Sequence, residues 1–191
     1  MRIVEGIERL PLPEGPSVVT VGFFDGVHLG HRAVFARTVE AAHERGVRSV
    51  AVTFDRHPRE ILTPGSEPRL LTTVERRASL IEATGIDELV VLSFTKEFSQ
   101  IPAEGFVERV LVDGVHGVHA VMGRNFTFGH RAAGTIDNLP ELGAPFGLTA
   151  EGGARRCERR EGLVVVGPRC TLGRRPRVAA HRVGPTLRLG R

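Results

Sequence analysis

The sequence predicts an α/β protein with one parallel sheet covered by helices on both faces. Three observations carry this. Short, fully apolar, β-branched runs recur along residues 17–150, helical patterns separate them one by one, and glycines sit where each element should stop. Strands spaced by single helices are the mark of βαβ crossovers, and strands buried on both faces read as continuous apolar runs.

Taken in order, Ser17-Val18-Val19-Thr20-Val21 is a strand ended by Gly22. From His31 to Arg45, Val34, Phe35, Val39 and Ala42 fall at helical spacing, and Gly46 supplies the stop. Ser49–Phe54 is the second strand. Thr72 or Thr73 caps a helix through Thr84, with Leu80 and Ile81 on its buried side and Gly85 after it. Leu89–Phe94 is the third strand. Pro102 opens a helix to about Val112 that turns Phe106, Val107, Val110 and Leu111 to the sheet. Val118–Met122 is the fourth strand. A short helix near Ile136–Leu142 and a strand at Phe146–Ala150 close the pattern.

Composition narrows the function. The chain of 191 residues suits one well-buried domain with an appendage, and 41% hydrophobic with 25% charged residues is ordinary for a globular protein. No apolar run is long enough to span a bilayer, and Met1–Gly6 lacks a signal-peptide apolar region, so the expected compartment is the cytoplasm. The net charge of +4 and pI near 10.3 are misleading as a whole. Residues 154–191 hold eleven Arg against two Glu, a net of +9, which leaves residues 1–153 at −5. The body is therefore acidic, and neither a nucleic-acid nor a membrane partner is expected. The Arg-rich part lacks the amphipathic spacing or aromatic interleaving such partners need. Cys157 and Cys170, without His or Cys at ligand spacing, make no zinc site, and no protein-held metal is expected.

The domain expectation is a body over 1–153 and an irregular Arg-rich tail over 154–191, where the alternating pattern stops abruptly. That tail reads either as a solvated extension or as the product of a reading-frame change in GC-rich coding DNA.

Ligands of parallel α/β sheets bind at the carboxyl ends of the strands, near the switch in strand order. The unusual segments of this chain, Gly22–His31, Asp55–Arg59 and Gly123–Gly134, all fall at such ends. The first carries the chemistry. Gly22-Phe23-Phe24-Asp25-Gly26-Val27-His28-Leu29-Gly30-His31 joins the first strand to the first helix. A helix entrance offers free N–H groups and a positive dipole end to phosphate, and its glycines permit a close backbone approach. Two histidines three apart there can face one phosphate and donate to oxygens on which charge develops. His116 and His119 share this spacing but lead into a strand rather than a helix, and on a strand residues three apart point to opposite faces.

This segment resembles the His-x-Gly-His signature of the nucleotidyltransferase superfamily, and the longer string resembles the N-terminal module of prokaryotic bifunctional riboflavin kinase/FAD synthetases. Thr53-Phe54-Asp55-Arg56-His57-Pro58-Arg59 resembles that family's Thr-Phe-Asp-Pro-His-Pro segment, with Arg56 in place of the first proline. Gly123-Arg124-Asn125-Phe126-Thr127-Phe128-Gly129 resembles its Gly-x-Asn/Asp-Phe-x-Phe-Gly loop. The resemblance covers about residues 15–150 and implies a Rossmann-like sheet of nucleotidyltransferase type. The implied reaction transfers AMP from ATP to FMN, giving FAD and pyrophosphate, with Mg²⁺ on the phosphates. By the same resemblance, His28 and His31 are catalytic and stabilise the pentavalent α-phosphate. Gly22, Phe23, Phe24, Asp25, Gly26 and Gly30 join them in the ATP site, and Asp55, His57, Pro58, Phe106, Asn125 and Phe128 form the flavin side. Phe106 and Phe128 read equally well as core packing, and Asp55 as a turn cap.

The family's Ser-Ser-Thr-x-Ile/Val-Arg segment, expected near residues 163–172, is replaced by Leu163-Val164-Val165-Val166-Gly167-Pro168-Arg169-Cys170-Thr171-Leu172. The riboflavin-kinase module is not expected in this chain. The alternative function is a catalytically impaired nucleotide- or flavin-binding form lacking that phosphate-binding segment.

Overall fold

The computed structural model describes residues 1–12 and 15–152. The altered segment at 163–172 and the Arg-rich stretch lie outside the described residues.

The expected parallel α/β sheet is present. Strands β1 (Arg2–Glu5), β2 (Ser17–Val21), β3 (Arg48–Phe54), β4 (Glu88–Leu92), β5 (Gly117–Met122) and β8 (Thr149–Gly152) form one six-stranded sheet in the order β1-β4-β3-β2-β5-β8. Every pairing in it is parallel. The connections run outward from β2 in both directions, so the switch in strand order lies between β2 and β5.

The period-2 geometry of a strand divides the apolar runs between two cores. Val90 and Leu92 of β4 join Val19, Val21, Val50 and Val52 on one face, where Phe106, Val107, Val110 and Leu111 cover them. Those four side chains belong to α4 (Ala103–Phe106) and the π-helical turn Val107–Val112 that continues it. Leu89 and Val91 point the other way, against Phe35 of α1 (Leu29–Arg45) and Ala78 and Ile81 of α3 (Val74–Glu82).

The caps follow the expectation. Gly46 ends α1 in the left-handed region at φ 65°, donating to the carbonyls of Ala42 and His43, and the Thr73 side chain accepts from Arg76 N–H at the start of α3.

The structure adds two elements to the expectation and shifts the bounds of others. Edge strand β1 buries only Val4 and so shows no apolar run. Helix α2 (Pro58–Leu62), held by a capping box between His57 and Glu60, is too short to show a period. The last strand starts at Thr149 rather than Phe146, because a 3₁₀ turn over Ala144–Phe146 ends on Gly147 at φ 71°. The short helix is α5 (Leu139–Gly143), starting three residues later than expected, with Pro140 in its first turn. Two further short strands, β6 (Thr127–Phe128) and β7 (Gly134–Thr135), pair antiparallel outside the main sheet.

Candidate active site

The turn after β2 is strained. Phe24 lies at φ 55° and Val27 at φ 40°, both left-handed without being glycine, and Gly26 lies between them at φ 69°. For a β-branched residue such a φ is an outlier that the surroundings must enforce. Part of that enforcement comes from Asp25. Its carboxylate accepts from Leu71 N–H at 2.8 Å, Thr72 N–H at 2.9 Å and Thr72 Oγ1 at 2.7 Å, and Thr72 Oγ1 in turn accepts from Gly26 N–H. These bonds hold the Asp25 carboxyl below its ordinary range against the opposing effect of burial. Asp25 thus clamps the chain before α3 onto the turn. We expect Asp25→Ala to release Leu71 and Thr72, whose amides should exchange about ten- to a hundredfold faster, as befits hydrogen bonds to a charged acceptor worth ~1.5–3 kcal/mol. Unchanged exchange at both amides would refute the clamp.

His28 is the N-cap of α1, with backbone φ −67° and ψ 173°. Its Nδ1 accepts from His31 N–H at 3.3 Å, so the neutral ring carries its proton on Nε2 and presents it as a donor. The two imidazoles stack at 3.6 Å between centroids, so spacing of three at this helix entrance puts the two rings side by side. Gly30 permits this: a Cβ there would stand 3.1 Å from the His28 ring. Gly22 likewise accommodates Phe24, whose ring lies 2.6 Å from where a Cβ on residue 22 would be. Phe24 is buried, packed edge-on to His31 at 5.3 Å and against Phe35 at 4.6 Å. It backs the histidines from below.

Burial, reinforced by the neighbouring His28, pushes the His31 pKa down to about 4 despite Asp25, and its Nδ1 is buried without a hydrogen-bond partner among the described residues. Unfolded, the ring would titrate near 6.5. The unfolded chain therefore binds the extra proton first, and stability present above pH 6.5 is lost as pH falls toward 4. We expect the urea midpoint to fall across that window and His31→Gln to flatten the slope. Burial also lowers the pKa of His57 and His119, so part of the slope should persist. An identical slope in the variant would exclude His31 as a source.

The flavin-side expectation meets a cavity of about 810 Å³, within the usual range for small-molecule sites. His57, Pro58, Phe106, Asn125 and Phe128 all line it, and so does Phe23. Phe106 and Phe128 are also core residues, 5.3 Å apart between ring centroids, so the packing reading describes both while each also faces the cavity. Asp55 is not part of that wall. It accepts from Phe94 N–H at 3.0 Å, ending β4, which is the turn-cap reading. The wall further contains Phe54, Phe94, Phe98 and Phe126, with the cations Arg59 and Arg131. Sequence reasoning did not single out the four phenylalanines, because an apolar side chain after a strand or in a turn reads as core.

The histidine turn and the cavity meet at Phe23. Its ring packs edge-on to His57 at 4.8 Å, while the next residue, Phe24, supports His31. His116 and His119 serve the scaffold instead. His116 Nε2 bonds Leu12 O and His119 Nδ1 bonds Thr149 Oγ1.

A parallel sheet whose switch point opens on a His-x-Gly-His helix entrance defines the nucleotidyltransferase type of α/β fold. A crystal structure of a macrolide-efflux protein from Streptococcus pneumoniae shares the fold, with a TM-score of 0.67 over 79% of this chain and 50% of that one at 24% identity. The family model of FAD synthetase matches residues 12–161. A bifunctional riboflavin kinase/FMN adenylyltransferase of Pseudomonas fluorescens is 38% identical over 79% of this chain and 48% of its own length. That of Bacillus subtilis is 34% identical over 67% of this chain and 40% of its own length. The chain belongs to the FAD synthetase family, and it spans about half the length or less of these relatives.

Proposed function

We propose that the chain transfers AMP from ATP to the phosphate of FMN, releasing pyrophosphate and forming FAD. The observation that carries this reading is the adjacency of a phosphate-facing helix entrance and an aromatic cavity, joined through one residue, Phe23. A flat heterocycle fits against the Phe106, Phe126 and Phe128 rings, and Phe126 and Phe128 lie nearly parallel at 5.8 Å between centroids. The FMN phosphate oxygen attacks the α-phosphorus, and the bond to the β-phosphate oxygen breaks with its electron pair leaving on pyrophosphate. FMN brings its own nucleophile, so the protein supplies position and charge stabilisation.

His28 Nε2–H donates to the oxygens where charge accumulates. His31, uncharged at neutral pH when no phosphate is near, gains proton affinity as the polyphosphate charge arrives. Mg²⁺ held by the nucleotide's phosphates would neutralise part of their charge, and this ion keeps much of its water when it binds phosphates. No helix among the described residues is long and apolar enough to cross a membrane.

Incubating the full chain with ATP, FMN and Mg²⁺ and resolving the flavins by chromatography tests the reading. FAD and pyrophosphate should appear in equal amounts. Absence of FAD under conditions where FMN is bound would refute it.

A further inference from the structure

The side chain of Arg77 is the most unusual buried group in the described structure. It is 1% exposed on α3, and its recorded hydrogen-bond partners among the described residues are two carbonyls and a hydroxyl rather than a carboxylate. Its Nη1 donates to Phe23 O at 2.9 Å, Thr53 Oγ1 at 3.1 Å and Phe54 O at 2.8 Å. Nε and Nη2 have no partner among the described residues. The guanidinium carbon sits 4.2 Å from the centre of the Phe23 ring. Burial lowers its pKa, with Asp25 and Asp55 opposing that at longer range.

A buried cation without a paired anion is a costly way to fill space, and an apolar side chain of similar volume would be cheaper. What the guanidinium supplies is geometry. Phe23 O lies just past the carboxyl end of β2 and Phe54 O at that of β3, and one nitrogen ties them together. Thr53 Oγ1 also donates to Phe23 O at 3.0 Å, so the Phe23 peptide is held from two directions. On one side of that peptide the Phe23 ring meets His57 and forms cavity wall. On the other, Phe24 turns left-handed and supports His31.

We propose that Arg77 is a positioning residue that holds the nucleotide and flavin halves of the site in register through the Phe23 peptide. This rests on the FMN-adenylylating reading, and it touches no substrate itself.

The test compares Arg77→Met, Arg77→Lys, Phe23→Leu and Arg77→Met/Phe23→Leu in the full chain, with three measurements: thermal midpoint, FMN affinity by quenching of flavin fluorescence, and kcat/KM for FAD formation. Methionine fills the volume and removes the charge, so the thermal midpoint should stay near the parent's. FMN affinity and kcat/KM should each fall about tenfold, the scale expected when a packed network is broken. Lysine, which keeps the charge and donors but not the planar face on Phe23, should recover part of the loss. The double variant should lose little more than the worse single variant, because both act through one peptide.

Parent-like FMN affinity in Arg77→Met overturns the inference whether or not the parent turns over. So does a purely additive double variant, which is what a merely structural role gives. If Arg77→Met does not fold, Arg77→Lys decides: a near-parent midpoint with weakened FMN binding supports positioning, and parent-like binding overturns it. Failure of the parent to form FAD while it binds FMN strikes the proposed reaction alone, and the affinity arm still judges Arg77. Failure of the parent to bind FMN overturns both.

Discussion

His28→Ala is expected to lower kcat for FAD formation by about two to three orders of magnitude, the loss of ~2.7–4 kcal/mol typical when one donor to developing charge is removed. The complication is that His28 does two things. Its Nδ1 caps α1 by accepting from His31 N–H, and only Nε2 is left to serve phosphate. Alanine removes both functions, and loss of an N-cap by itself costs about 1 kcal/mol of stability. Asparagine separates them. It is a strong N-cap residue and can accept from His31 N–H, but it lacks the reach of the imidazole edge. His28→Asn should therefore keep the parent's thermal midpoint while kcat falls nearly as far as in the alanine variant. KM for ATP should change less than kcat in both, because the donor matters most when charge is on the transferring phosphate. Single-turnover measurement of FAD formation checks this. A His28→Asn enzyme with parental kcat would show that the ring only caps the helix.

The histidine turn was legible in the sequence because its features sit in consecutive residues: a strand end, glycines at the tight positions and two histidines one helical turn apart. The sheet was legible for a similar reason, since β2, β3 and β4 are buried on both faces and so read as unbroken apolar runs. What escaped was whatever depends on partners distant in the chain. Phe54, Phe94 and Phe98 face a cavity at the ends of different elements, and nothing local distinguishes a ring facing a cavity from one facing the core. The clamp from Asp25 to Thr72 spans 47 residues.

Arg77 left a faint trace. It falls on the same helical stripe as Val74, Ala78 and Ile81, where the amphipathic pattern calls for an apolar residue. A charge on the buried stripe of a helix is a local inconsistency of the kind that marks functional positions. Edge strand β1 escaped because an edge strand of four residues with one buried side chain carries too little periodicity to register.

The histidines also depend on packing one layer further in, and that dependence should be large. Phe35 is completely buried in α1, lies in the cluster with Ala51, Ile81, Leu89 and Val91, and supports the Phe24 ring on which His31 rests. Phe35→Ala should cost ~3–5 kcal/mol through lost burial and the cavity left behind, a large share of the total stability of a domain. At about 2–4 °C per kcal/mol for a chain of this size, the thermal midpoint should fall by about 6–20 °C. Ile81→Val removes one methyl group from the same cluster and should cost only ~0.5–1.5 kcal/mol.

The two variants separate general loosening from site support. With the temperature set so that each protein is fully folded, Ile81→Val should keep parental kcat, because it removes one methyl group and leaves both rings of the Phe24–Phe35 pair in place. Phe35→Ala should still lose activity, because Phe24 can sink into the new cavity and the left-handed turn at φ 55° loses part of what enforces it. Phe35→Leu, which leaves less empty space, should fall between the two. Thermal melts and FAD-formation rates on the folded proteins would check both halves. A Phe35→Ala protein that melts within 2 °C of the parent would contradict the packing argument. One that is destabilised yet keeps full kcat would show that the turn holds its shape through Asp25 and Arg77 alone.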